Sequence, residues 1–361
     1  MQLPAHTEKF NSLLQSVVPA FRLIDDELGQ VKELVNEQLA SCSEPVSRLV
    51  GHLNTRSGKM IRPGLVLLSY RAVRDASCKK KQPHNAQYEA VSIAAIMEII
   101  HNATLLHDDV IDEGQRRRGL PTVNSLWGNE SAVLLGDFLL SKVFRMCVDL
   151  EPRFQKIISA TTGRLCEGEL RQIIQRQNWQ LSEAEYIDII TEKSAAFFSS
   201  CCYLGGLLAG ASQRQVQLLT CFGLNTGIAF QITDDLLDII GDEGKTGKTP
   251  GSDADKNKPT LAVIHLLGAM DERGKSAVIN SLCVKRDAYR VKEKTQYNIR
   301  NTQYEKETLI EMLRSYGSLK YAHSRAQEFV AKAIGSLAGL KESDAKDALI
   351  ETARFVGRRA L

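Results

Sequence analysis

Residues Tyr88 to Asp112 read YEAVSIAAIMEIIHNATLLHDDVID, and this segment decides the fold class. Its apolar side chains recur at three- and four-residue spacing, the period of a helix, with no strand-like alternation. The most apolar part, Ala90 to Ile100, contains Glu98 and has about half the length needed to span a bilayer. Any membrane association is therefore expected to be peripheral.

The same periodicity returns in residues 21–35, 65–73, 131–150, 154–174, 186–211, 216–240 and 259–270, and in pieces beginning near Ser276, Glu305 and Glu342. Turn chemistry separates them at Ser57-Gly58, Pro63-Gly64, Gly119-Leu120-Pro121, Trp127-Gly128-Asn129 and the Gly- and Lys-rich residues 241–259. An all-α chain with one continuous domain over residues 1–361 fits better than two domains. The charge-dense segment 287–306 reads as a long loop or a very exposed helix.

The 46 basic and 43 acidic residues leave a formal charge of +3, so no global field argues for nucleic acid or an anionic surface. Eight scattered cysteines form no CxxC pair and read as reduced, buried thiols. The start, Met1 to Lys9, has no basic region followed by an apolar core; it is not a secretory signal, and a cytoplasmic location is expected.

Two acidic motifs carry the chemistry. His107-Asp108-Asp109-Val110-Ile111-Asp112 closes one apolar helix and sets Asp108 and Asp112 on one face. Gln231-Ile232-Thr233-Asp234-Asp235-Leu236-Leu237-Asp238 repeats the spacing on another. Carboxylates this close repel each other unless a cation intervenes, and hard oxygen ligands suit Mg²⁺ shared with substrate phosphates. Facing each other, the motifs could hold Mg²⁺ around a diphosphate and draw charge off a leaving group. Cations match them: Lys59 and Arg62 stand three apart, and Arg116-Arg117-Arg118 follows the first motif. Gly244-Lys245-Thr246 and Gly247-Lys248-Thr249 hint at a nucleotide loop, but Ile239 and Asp242 stand where its first glycine belongs. His101, seven residues before Asp108, shares its helical face; a purely structural histidine fits that position as well.

These residues resemble the trans-isoprenyl diphosphate synthases, and among them the long-chain polyprenyl synthases of heptaprenyl, octaprenyl or solanesyl type. The likeness runs from about Val46 to Arg354 and rests on Leu106 to Asp112 with Arg117-Arg118-Gly119, then Gly136-Asp137-Phe138, Gly168-Glu169, Lys193-Ser194, and Gln231 through Thr260. It implies one bundle of ten or more helices around a deep central cavity, usually a homodimer. By the same resemblance Asp108, Asp112 and Asp234 would ligate Mg²⁺, on the order of three ions per site for metal-assisted charge withdrawal, with Asp109, Asp235 and Asp238 in support. Arg117, Lys193, Lys248 and Lys258 would hold an allylic diphosphate, farnesyl or geranylgeranyl, and Lys59, Arg62, His101 and Arg118 would hold isopentenyl diphosphate. Ser194 and Gln231 would flank the reacting carbons. The implied reaction is ionisation, condensation and elimination, repeated to a long all-trans product such as a quinone side-chain precursor.

Ala103 and Thr104, one turn before Asp108, point toward the expected product tunnel. Short-chain relatives close it there with a bulky aromatic, so small residues imply a long product. Phe144, Met146 or Cys147 could form a floor. Ser57-Gly58-Lys59, Lys193-Ser194 and Asn257-Lys258 depart from the family's usual Gly-Gly-Lys, Lys-Thr and Gly-Lys, without removing a metal ligand. The alternatives are a shorter-chain geranylgeranyl or farnesyl diphosphate synthase and a non-catalytic partner subunit of a heteromeric synthase.

Overall fold

The computed structural model describes residues 19–55, 58–75, 86–240, 258–290 and 308–359. A 3-10 turn, Pro19–Ile24, leads into helices α1 (Asp25–Leu39), α2 (Glu44–Asn54), α3 (Ile61–Arg74) and α4 (Ala86–Ile111). After a two-residue hairpin, Arg116–Arg117 with Leu120–Pro121, come α5 (Val123–Trp127), α6 (Asn129–Val148), α7 (Pro152–Ile174) and α8 (Glu183–Ile190). A single π-helical turn, Thr191–Ala195, precedes α9 (Ala196–Leu208) and α10 (Gln213–Ile240). The chain closes with α11 (Leu261–Gly268), α12 (Glu272–Arg290), α13 (Ser318–Ser336) and α14 (Asp344–Arg358).

The protein is all-α, and the opening segment explains why. α4 is long and apolar enough to cross a membrane by length and composition alone, yet two thirds of its most apolar window, 67%, is buried inside the protein. It packs against α1, α3 and α6, while α10 packs against α9 and α13. One apolar core runs from Phe21 to Val356. Burial at about 25 cal/mol per Å² of apolar surface makes that core the main stabilising term.

Three local features differ from the periodicity reading. α2 is not among the expected helices: it buries only Val50, so its apolar stripe is thin. The expected helix over 186–211 is interrupted by the π turn. There, two glycines let neighbours press on its backbone, since an added Cβ at Gly168 would sit 2.3 Å from Lys193 N and one at Gly227 2.5 Å from Ala195 Cα. The Gly119 turn is a true hairpin: Arg118 and Gly119 have φ of 53° and 78°, the paired positive angles of a tight two-residue hairpin turn.

Candidate active site

Both acidic motifs stand on the closing turns of core helices. Asp108 and Asp109 occupy the last turn of α4, and Asp112 follows it, with its N–H bonded to the Asp108 carbonyl at 2.8 Å. Adjacent helical residues point about 100° apart, and here that separates their roles. Asp109 is 3% exposed and accepts from Arg117 Nε at 2.6 Å. Its backbone carbonyl accepts from Gly114 N at 2.8 Å and Asn124 Nδ2 at 3.1 Å. Asp109 thus clamps the hairpin, and Arg117 is engaged by that clamp. Asp112 instead meets cations, Lys258 Nζ at 3.1 Å and Arg176 Nη2 at 3.2 Å.

The Asp108 carboxyl is pushed up to about 6, by burial first and then by Glu169, with Asp112 adding to it and Lys193 and Arg117 opposing. Lys193, on the π turn, donates to Gln172 Oε1 at 2.7 Å and lies 3.3 Å from Glu169. Burial disfavours its charge most, but Glu169, Asp108 and Asp235 outweigh burial and Lys258, so its pKa stays above the ordinary lysine value. Lys193 is therefore a common neighbour of both acidic motifs. Beside it, Ser194 Oγ donates to Gln231 Oε1 at 2.6 Å, and Gln231 Nε2 donates to Asp235 Oδ1 at 2.7 Å.

A second group is cationic. The guanidinium of Arg62 lies 5.1 Å from the ring centres of Phe197 and Phe198, and Lys59 Nζ lies 5.1 Å over Phe355. Lys59 is lowered to about 8 by burial first, then by Arg359, with Asp234 opposing and Arg118 adding. Arg118 reaches back from its hairpin so closely that a Cβ on Gly58 would sit 2.9 Å from its Nη2. Arg62 is lowered by burial, and so is the guanidinium end of Arg118, although the residue as a whole keeps exposed surface in the hairpin; the buried Glu98 opposes the effect in each case. Arg62 Nε and Arg359 Nη1 are buried without a hydrogen-bond partner. Buried orphan donors are costly, and an anionic oxygen would satisfy them. His101 is half-buried on α4, its carbonyl accepting from Thr104 Oγ1 at 2.9 Å.

Asp234 belongs with the cationic group: Arg359 Nη2 lies 3.6 Å from it, and its charge acts on Lys59 and Arg62. Asp238 is half-buried one turn further along α10. Lys248 and the loop 241–257 lie outside the described residues, as does Ser57. Arg116 is exposed and bonds the Gly119 carbonyl at 3.0 Å.

Among the described residues, no three His, Cys, Asp or Glu side chains gather closely enough to hold a metal by themselves. Mg²⁺ commonly takes only one or two carboxylates and fills its octahedron with phosphate and water oxygens. The donors are of the right kind: Asp108 and Asp112 offer hard oxygens, and the Asp108 carboxyl, raised by burial first and by Glu169 second, is one whose charge a divalent cation would stabilise.

Ala103 and Thr104 part company. Ala103 is 1% exposed and lies one turn below His107, whose ring rests against Gly136 of α6. Thr104 is half-buried and lies one turn below Asp108. Phe144 is 70% exposed on α6, so it forms no internal floor within one chain; Met146 and Cys147 are half-buried.

The structure adds residues that the motifs did not mark. Arg359 comes from the far end of the chain, Arg176 from the turn after α7, and Glu98 from the α4 core. Glu98 had a signal, as a lone charge inside an apolar run. Arg176 and Arg359 had none, because each reaches the site only through tertiary packing.

A sequence profile described as polyprenyl synthetase matches residues 43–299. The chain is 33% identical to the short chain isoprenyl diphosphate synthase of Methanothermobacter thermautotrophicus, over 92% of this chain and 98% of that one. It is 32% identical to the octaprenyl diphosphate synthase of Escherichia coli, over 93% and 97%. The crystal structure of a polyprenyl synthase from Caulobacter crescentus, complexed with calcium and isoprenyl diphosphate, superposes with a TM-score of 0.83 at 30% identity, covering 96% of this chain and 98% of that chain.

Proposed function

Because the chain belongs to the polyprenyl synthetase family, we propose that it is an all-trans polyprenyl diphosphate synthase, a prenyltransferase that adds isopentenyl diphosphate units head to tail onto an allylic diphosphate and releases a long-chain product. The observation that carries this reading is the sorting of charge into two adjoining groups. Asp108, Asp112 and Glu169 with Lys193 and Lys258 form one; Lys59, Arg62, Arg118 and Arg359 form the other, with Asp234 beside them; Arg117, which acts on both Asp108 and Arg118, links the two. A diphosphate that leaves needs metal-assisted charge withdrawal, whereas one that stays on its substrate needs only cations and hydrogen bonds.

On this reading Asp108, Asp112 and Asp234 hold Mg²⁺. The metal, when bound, supplies Lewis-acid stabilisation of the departing diphosphate. Lys193 and Lys258 bind the allylic diphosphate oxygens and orient the bond to be broken. Lys59, Arg62 and Arg118 anchor isopentenyl diphosphate through charge-assisted hydrogen bonds, with Arg359 and His101 as further donors. The isopentenyl double bond attacks the allylic cation, and an oxygen of the released diphosphate takes the proton that leaves. No protein nucleophile is required. Aromatic and aliphatic walls, including Phe197, Phe198 and Phe230, exclude the water that would quench the cation.

We assign the long product to the small residues at Ala103 and Thr104, and a homodimer to the apolar face of α6. The test is to incubate purified protein with farnesyl diphosphate, labelled isopentenyl diphosphate and Mg²⁺, and to size the dephosphorylated products. Products well beyond twenty carbons are expected. A stop at fifteen or twenty carbons would make it a short-chain synthase, and no product from any starter would point to a missing second subunit.

A further inference from the structure

We infer that Tyr186 is a positioning residue for the condensation: through Asp235 and Gln231 it commits the hydroxyl proton of Ser194 inward and leaves that oxygen's lone pairs for the reacting carbons. The inference rests on the prenyltransferase reading above and goes beyond it, since nothing in the acidic motifs marks this tyrosine.

Four side chains form one chain of hydrogen bonds. Tyr186 Oη donates to Asp235 Oδ2 at 2.6 Å, Gln231 Nε2 donates to Asp235 Oδ1 at 2.7 Å, and Ser194 Oγ donates to Gln231 Oε1 at 2.6 Å. Their polarity is fixed by chemistry. A carboxylate only accepts, so Gln231 must turn its NH₂ toward Asp235 and its carbonyl toward Ser194. A carbonyl also only accepts, so the Ser194 proton must point at Gln231. The hydroxyl oxygen is left with its lone pairs facing away, where positive charge developing on an allylic carbon is stabilised by fixed dipoles at no reorganisation cost.

The tyrosine is held firmly enough to set this order. It is 3% exposed and closes the first turn of α8, its N–H bonded to the Ser182 carbonyl at 3.0 Å, where the helix opens on a reciprocal cap between Ser182 and Glu185. From the other side Glu183 accepts from Tyr321 Oη at 2.5 Å and from Arg325 Nε at 2.7 Å on α13. Asp235 is 8% exposed and Ser194 is 8% exposed, so bulk water competes little for these bonds. Without the phenol, Asp235 Oδ2 loses a buried donor, which loosens the carboxylate that fixes the Gln231 amide.

The experiment is a double-mutant cycle on the full chain, read as the single-turnover rate of the first isopentenyl addition with KM measured alongside. Tyr186→Phe keeps the ring and deletes only the hydroxyl. Removing a direct transition-state donor costs about 100- to 1,000-fold; acting at two removes, Tyr186→Phe is expected to slow the step about tenfold, with both KM values within about twofold. In a Ser194→Ala background the same change is expected to cost less than about twofold, because the group it orients is gone. A wild-type rate in Tyr186→Phe overturns the inference. So does an equal loss in the Ser194→Ala background, which is what a purely structural tyrosine would give. Failure of the wild-type chain to elongate any starter would overturn the functional reading itself, and this inference with it.

Discussion

The guanidinium of Arg359, just beyond α14, lies 3.6 Å from the Asp234 carboxylate of α10, so the end of the chain is tied to the second acidic motif. Arg359 also covers the Phe230 ring at 4.8 Å and helps to lower Lys59. Its Nη1 is buried without a partner, a donor that an oxygen of isopentenyl diphosphate would satisfy on the proposed reading. Arg359→Ala is expected to raise the KM for isopentenyl diphosphate about tenfold or more, the scale of one lost charge-assisted hydrogen bond. The KM for the allylic substrate should move little. Steady-state kinetics with each substrate varied in turn distinguish the two; equal changes in both would remove Arg359 from the isopentenyl site.

Lys59 supplies a pH dependence with a definite sign. Its pKa is lowered to about 8, by burial first, then by Arg359, so above that pH the folded protein holds it neutral and the cationic group loses a charge. The kcat/KM for isopentenyl diphosphate is expected to fall as pH rises through about 8. Stability moves the other way. The unfolded lysine binds its proton up to its ordinary value of about 10.4, so between about 8 and 10.4 this group makes the fold more stable as pH rises. Lys59→Arg keeps its charge throughout and should flatten that limb of the kcat/KM profile. A limb that survives in Lys59→Arg would belong to another group.

Asp108 and Asp234 carry the metal assignment. Asp108→Ala and Asp234→Ala are each expected to lower turnover by about three orders of magnitude or more, since losing a ligand forfeits several kcal/mol of charge stabilisation. The fold should persist. Asp108 is raised to about 6 chiefly by burial, so deleting it removes an unfavourable charge at neutral pH. Near-wild-type turnover in a folded variant would sink the assignment, and Mg²⁺ binding by calorimetry gives a readout independent of rate.

The apolar surface of α6 makes a separate claim. Phe144 and Val148, one turn apart on the same face of α6, are 70% and 75% exposed, an apolar pair that a second copy of the chain would cover. Sedimentation should give a species near twice the 40.0 kDa chain mass. Phe144→Glu with Val148→Glu should shift it toward monomer. A wild-type chain that sediments as a monomer would leave that face to another partner.

The parts of the molecule legible in sequence were those written in local periodicity and spacing. α4 and α10 announce themselves as apolar helices, and Asp108, Asp112 and Asp234 follow from their place on them. The π turn at Lys193 was hidden because its cause lies elsewhere, in Gly168 and Gly227 admitting neighbouring backbones. Asp109 was legible as a supporting residue, but its partner was not: a one-residue step turns it onto Arg117. Arg176 and Arg359 belong to no motif, and only the packing of α7 and α14 delivers them. Tertiary contacts between distant segments are what spacing cannot encode.

Product length tests Ala103 against Thr104. Both are small, but Ala103 is 1% exposed beneath His107, while Thr104 keeps accessible surface beneath Asp108. A tail leaving the metal site along α4 passes Thr104 first. Thr104→Tyr is therefore expected to shorten the product with little change in melting temperature. Ala103→Tyr should shorten it too, but must force a ring into packed surroundings, at about 1–3 kcal/mol of stability, visible as a lower melting temperature. Chromatography of the dephosphorylated products and thermal melts read the two effects separately. Unchanged product lengths in both variants would show that the tail leaves by another path, since a full tyrosine on either face would otherwise obstruct it.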